Sequence, residues 1–133
     1  MTLVVDAGVA AKWVLPEEDA ERAASLRNQP DDILAPSLIV AEIGNAVWKR
    51  VMANEISPAD AVEALDIATS LLTRLVPMRE LSARATEIAI ALRHPIYDCF
   101  YLALAEREHA PMFTTDRRLL NVTRNMTIEV RRP

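Results

Sequence analysis

Thr2-Leu3-Val4-Val5-Asp6 is a short aliphatic, β-branched run that ends in a carboxylate, and it reads as a buried strand with an acid at its carboxyl end. The same pattern recurs far down the chain, where Pro111-Met112-Phe113-Thr114-Thr115 forms a strand that stops at Asp116. Between these two runs, helical and extended patterns alternate. Val9 to Leu15 has helical composition and is halted by Pro16, and Glu17, Glu18 and Asp19 put negative charge on the first turn of a second helix reaching Arg27. Asn28 to Asp32 is a polar turn, followed by a brief strand at Ile33-Leu34-Ala35.

Ser37 is placed to cap a helix from Leu38 to about Ala53, in which Ile39, Ile43 and Val47 recur at the 3.6-residue period of a core-facing stripe. Ser57-Pro58 opens the next helix, with serine as N-cap and proline at the first position. That helix is expected to run to about Arg74, with Leu75-Val76-Pro77-Met78 as a strand and Glu80 to Leu92 as another helix. Pro95 begins a helix that carries Asp98 in its first turn and ends near His109. A short helix after Asp116 and a last strand over Met126 to Val130 complete the pattern.

Strands that alternate with helices, in a chain whose only glycines are Gly8 and Gly44, leave no glycine-based hairpins. The fold class is therefore α/β: a mostly parallel central sheet with helices on both faces. The 133 residues contain no linker, repeat or low-complexity tract, so one domain spanning 1–133 is expected. In such sheets ligands bind beyond the carboxyl ends of the strands.

Composition narrows the function. Hydrophobic residues make up 51% of the chain and aromatic ones only 5%, so the core must be aliphatic. No apolar run is long enough to span a bilayer, no leader pattern opens the chain, and a lone cysteine, Cys99, precludes an internal disulfide. The expectation is a cytoplasmic protein with no membrane role. A net charge of −4 and a pI near 5.2 argue against nucleic-acid binding through a broad basic surface. They leave room for a protein that meets phosphates through divalent cations, which reverse the local field.

Most of the 19 acids are helix-start or solvated charges. Four are different. Asp6 and Asp116 each end a strand, so a parallel sheet brings them to one edge, and Glu42 and Asp98 lie early in helices that follow loops on that edge. Singly, each has an ordinary reading: Asp98 as a helix-dipole partner, the strand-end acids as turn residues. Jointly they form a candidate site for Mg²⁺ or Mn²⁺, hard cations that prefer carboxylate and water oxygens. Converging carboxylates repel one another unless a cation joins them, and a cation also supplies the activated water and charge neutralisation that phosphodiester hydrolysis needs.

Other residues carry competing readings. Lys12, Lys49, Arg79, Arg117 and Arg118 are candidate phosphate contacts or solvated charges; Arg117 and Arg118 are the best placed because they directly follow Asp116, and Arg117 and Lys12 are the possible RNA contacts. Asn45, one turn beyond Glu42, either orients a ligand or is a surface amide. Trp13 and Trp48 are candidates for a partner-binding face, with core packing as the alternative. His94 and His109 flank opposite ends of one helix, roughly 20 Å apart at about 1.5 Å per residue, and cannot serve one phosphate as an acid–base pair. His94 leads into that helix and His109 is a cation at its end; Cys99 is expected to be buried, with no base to activate it.

Four segments in order resemble the PIN-domain family, specifically the VapC-type toxin ribonucleases of toxin–antitoxin pairs. They are Val4-Val5-Asp6 with Ala10-Ala11-Lys12-Trp13; Ala35-Pro36-Ser37 through Ala41-Glu42 to Asn45; Tyr97-Asp98 through Tyr101-Leu102-Ala103-Leu104-Ala105; and Phe113-Thr114-Thr115-Asp116-Arg117-Arg118-Leu119. The resemblance implies a single PIN-like three-layer domain and an endoribonuclease that uses metal-activated water to leave a 5′-phosphate and a 3′-hydroxyl. Asp6, Glu42, Asp98 and Asp116 would be its catalytic and metal-binding acids, and Thr114 a hydroxyl that shapes the site. It also implies a cognate VapB-type antitoxin and a homodimer. Gly8 departs from the pattern, standing where the family carries serine or a similar polar residue. That loss keeps open a catalytically weak or inactive PIN-fold interaction protein. A phosphatase or receiver domain is the poorer alternative, because the first asks for a second aspartate where Gly8 stands and the second for an acidic pair and a late lysine that are missing.

Overall fold

The computed structural model describes residues 1–16, 20–28 and 31–133. Its elements, in chain order, are β1 (Thr2–Val5), α1 (Ala7–Ala11), α2 (Ala20–Arg27), β2 (Asp32–Pro36), α3 (Leu38–Met52), α4 (Pro58–Ser70), β3 (Arg74–Val76), α5 (Met78–Leu92), α6 (Ile96–Glu108), β4 (Met112–Phe113), α7 (Arg117–Val122) and β5 (Val130–Arg131). The strands form one sheet in the order β3-β2-β1-β4-β5, and all four pairings are parallel. "Mostly parallel" therefore becomes wholly parallel.

The chain starts at the centre with β1, builds outward through β2 to β3, then crosses back to lay β4 and β5 on the other side. By the right-handed rule for parallel crossovers, this strand order sets the β1–β2 and β2–β3 connections on one face of the sheet and the β3–β4 connection on the other. The direction of winding reverses between β1 and β4, and at such a switch point a crevice opens beyond the carboxyl ends of the strands. Asp6 and Asp116 follow those two strands.

Helical periodicity accounts for the layers. Ile39, Ile43 and Val47 are buried along α3 as expected, and Ala61, Ala64 and Ala68 give α4 a narrow stripe for close packing on α3. α6 is nearly enclosed: Cys99, Tyr101, Leu102, Ala103, Leu104 and Ala105 are all buried, where the helix packs on α5 and on β1, β2 and β4. Ser57 caps α4 by accepting the Asp60 N–H at 3.1 Å, with Pro58 at the first position.

Several boundaries differ from the sequence expectation, each for a tertiary reason. The first helix occupies Ala7–Ala11 rather than Val9 to Leu15, because Asp6 caps it early through the Val9 N–H. The acids Glu17, Glu18 and Asp19, expected at the head of the second helix, lie outside the described residues, as does part of the turn after Asn28. Ser37 makes no side-chain cap; its backbone is already helical and its N–H extends the sheet to Val76 O at 2.8 Å. α4 stops at Ser70, not Arg74, since Thr73 exchanges two bonds with Ile33 and draws the chain into the ladder. Pro77 and Met78 are not strand: Pro77 caps α5, which starts at Met78. β4 is limited to Met112–Phe113, because Thr114 and Thr115 turn towards the cap of α7. The last strand is Val130–Arg131 rather than Met126 to Val130, a short edge of the kind that resists further pairing.

Candidate active site

Each of the four acids is placed by local structure before any ligand is considered. Asp6 leaves β1 and caps α1, its Oδ1 accepting the Val9 N–H at 2.9 Å, while its Oδ2 accepts the hydroxyl of Thr114 from the end of β4. Glu42 lies in the second turn of α3, and its Oε1 accepts the Tyr101 hydroxyl at 2.6 Å. Asp98, in the first turn of α6, is bonded through Oδ2 to His94 Nε2 at 2.6 Å. Asp116 caps α7 by accepting the Arg118 and Leu119 N–H groups, and its own N–H donates to Thr114 Oγ1 at 3.1 Å.

These acids share one cavity of about 230 Å³, lined by Asp6, Ala7, Gly8, Glu42, Asp98, Tyr101, Thr115 and Asp116. It lies beyond the carboxyl ends of β1 and β4, at the switch point. The four residues singled out in sequence thus face a common space; Asp6 and Asp116, whose ordinary reading was as turn residues, also act as helix N-caps, which that reading did not anticipate. A roomier cavity of about 410 Å³ lies at the opposite, amino ends of β4 and β5, lined by residues such as His109, Pro111 and Ile128, away from this cluster.

The electrostatics are those of crowded, partly dry carboxylates. Burial pushes the Asp6 carboxyl up to about 6; the Thr114 and Val9 hydrogen bonds oppose this, and the charges of Asp98 and Glu42 add to it. Glu42 is also raised, mainly by burial and then by Asp98, against the Tyr101 hydrogen bond. Tyr101 is held firmly as a phenol by burial and by Glu42, so it remains a donor. The cluster is open: among the described residues no three carboxylates, imidazoles or thiols close into a ligand set unaided. Its all-oxygen character suits a hard divalent cation, and burial first, with the charge of Asp98 adding to it, is what raises both Asp6 and Glu42.

The remaining candidates separate by position. Thr114 is fully buried and links Asp6 to the Asp116 backbone. Asn45 is exposed on α3 and does not line the cavity. Lys12 is half-buried just after α1, and Arg117 and Arg118 are exposed in the first turn of α7 beside Asp116. Trp13 is a core residue whose Nε1 donates to Ala23 O at 2.9 Å, whereas Trp48 is 55% exposed beside a shallow apolar groove between α3 and α4. Cys99 is buried, and its thiol is pushed up to about 11, by burial first and then by Asp98, which removes it as a nucleophile. His109 caps α6 in left-handed conformation, far from the acids.

Sequence reasoning missed two partners. Tyr101 stands in sequence only as part of a family-like segment, though its place three residues after Asp98 puts both on one face of α6. His94 was read as a residue leading into α6, which it is, but the (i, i+4) spacing to Asp98 also allowed the observed bond. Gly8 has an unremarkable backbone, and a Cβ built on it would sit 3.4 Å from Asp6 Oδ1 and 3.7 Å from Thr115 Oγ1, in ordinary contact. The fold therefore does not demand glycine here.

A sequence profile described as "PIN domain" matches residues 3–125. Ribonuclease VapC3 of Pyrobaculum aerophilum is 30% identical over 121 residues, which cover 90% of this chain and 92% of that protein. Among solved structures, VapC20 of Mycobacterium tuberculosis, described as a sarcin-ricin loop cleaving toxin, superposes with a TM-score of 0.72 at 18% identity, covering 98% of this chain and 99% of that one. VapBC2 of Rickettsia felis, solved with a DNA fragment from its promoter, gives 0.70 at 15% identity, covering 98% and 97%. At those identities the two structures share the fold.

Proposed function

The chain belongs to the PIN-domain family, and from that premise we propose that it is a VapC-type endoribonuclease, the toxin of a toxin–antitoxin pair held in check by a cognate antitoxin. The observation that carries this reading is the convergence of Asp6, Glu42, Asp98 and Asp116, from four separate stretches of chain, on one cavity at the switch point of the sheet.

In this reading the four carboxylates hold Mg²⁺ or Mn²⁺. When bound, the cation acidifies a water and neutralises charge developing on the phosphate. The chain's own residues prepare the place. Thr114 and the Val9 N–H hold Asp6 by both oxygens, and Tyr101 holds one oxygen of Glu42. Arg117, directly after Asp116, and Lys12, directly after α1, are the side chains this reading assigns to the backbone of a single-stranded RNA. The acidic net charge is consistent with a substrate drawn in through the cation rather than over a basic face. Cleavage leaves a 5′-phosphate and a 3′-hydroxyl. The antitoxin is a VapB-type protein, and the toxin pairs as a homodimer in the cytoplasm; the exposed Trp48 supports a protein-contacting face.

Freed of antitoxin, the chain is expected to cut single-stranded RNA with Mg²⁺ or Mn²⁺, to stop in excess EDTA, and to lose the activity in Asp98→Asn while keeping its circular dichroism spectrum. Cleavage that persists in EDTA sinks the reading. Tight partner binding with no cleavage under either metal would favour an inactive interaction protein.

A further inference from the structure

His94 is the one buried histidine of the chain, its side chain 3% exposed, and its ring has two unlike nitrogens. Nε2 lies 2.6 Å from Asp98 Oδ2, whereas Nδ1 is buried with no hydrogen-bond partner. A proton on Nδ1 would be an unsatisfied buried donor, while a bare lone pair there is tolerated far better. The ring proton therefore sits on Nε2 and is donated to Asp98.

The backbone around the ring is built to hold it. Arg93, the residue before, adopts left-handed conformation (φ 52°), which is unfavourable for a non-glycine residue, and turns the chain sharply between α5 and α6. The His94 N–H returns to Ala89 O at 3.2 Å, and the buried Cys99 thiol donates to Pro95 O at 3.6 Å. Pro95, at the N-cap of α6, has no N–H. Asp98 stands three residues after that cap, where an acidic side chain ordinarily folds back onto the cap N–H. Proline removes that competitor. The carboxylate takes the imidazole instead.

We propose that His94 is a positioning residue for the acid site: its Nε2–H pins Asp98 Oδ2 against the protein interior and so presents Oδ1 to the cavity as a pre-aimed ligand for a divalent cation. This rests on the metal-nuclease reading above. The same device recurs at Glu42, where Tyr101 ties one oxygen, and Asp6 is held more fully still, by Thr114 at one oxygen and the Val9 N–H at the other. Each of His94, Tyr101 and Thr114 is a side-chain donor that orients a carboxylate from the protein side of the cavity.

The test is Mn²⁺ binding to the antitoxin-free chain by isothermal titration calorimetry, beside RNA cleavage at limiting and saturating Mn²⁺. His94→Leu should weaken Mn²⁺ binding about 10- to 100-fold, the range expected for losing a partner of a metal ligand. His94→Gln, whose amide nitrogen reaches about as far as Nε2, should recover most of the affinity. His94→Asn, which is shorter, should not, and this pair keeps the test alive if the leucine variant does not fold. Cleavage by the weakened variants should return at saturating Mn²⁺ with KM for RNA unchanged. If glutamine and asparagine variants bind Mn²⁺ equally, the positioning role is overturned. If the unaltered chain binds no Mn²⁺, the metal-nuclease reading fails with it.

Discussion

Asp6 carries the sharpest consequence for a single side chain. Its folded value near 6 lies above the ordinary 3.8, so between about pH 4 and 6 the folded chain holds a proton there that the unfolded chain has released. Stability from this group is present below about pH 4 and is lost as pH rises through 6, on the order of 3 kcal/mol in all for so buried an acid. Metal-free protein should therefore show a falling contribution between pH 4 and 6 that vanishes in Asp6→Asn, measured as the difference between the two urea-unfolding curves against pH. Equal slopes would refute the buried-acid assignment. Gly8→Ser is a second residue-scale test. A Cβ there has room and places a hydroxyl within reach of Asp6 Oδ1, so the variant should fold normally and bind Mn²⁺ more tightly; weaker binding would show that the hydroxyl does not reach the site. Tyr101→Phe removes the bond to Glu42 Oε1 and should lower kcat at limiting Mn²⁺ with little change in circular dichroism, whereas unchanged kinetics would make Tyr101 a packing residue alone.

Among the elements, α4 was read correctly at its start and wrongly at its end, and the reason is physical. Its start is governed by Ser57 and Pro58, whose effect is confined to one turn, so it could be read locally. Its end is governed by Thr73 pairing with Ile33, forty residues away. Ser57→Ala should cost about 1 kcal/mol through the lost cap, seen as a lower urea midpoint at unchanged slope; no shift would mean that packing on α3 alone sets the helix start. Ser37 failed as a cap for the complementary reason: its N–H is recruited by Val76 across the sheet. Ile39, Ile43 and Val47 were legible because a helical stripe shows its period in sequence.

The whole molecule brings the acids together by strand order, since β1 and β4 are neighbours although more than a hundred residues separate them. A cation binding across that seam should stabilise the entire fold. Mn²⁺ at about 100 times its dissociation constant should raise unfolding stability by about 2.7 kcal/mol, and EDTA should reverse this. Asp98→Asn should remove most of the effect; a metal-independent melting temperature in the unaltered chain would argue against the site. From sequence alone came the α/β alternation, the buried stripes and the four acids at the ends of elements, because caps, periods and strand-end carboxylates are properties of a few consecutive residues. Only the tertiary structure decided which donor holds which acid: Tyr101 meets Glu42 across 59 residues, and Thr114 meets Asp6 across 108. Such partners depend on sheet order and helix crossing, and no local stretch of chain encodes them.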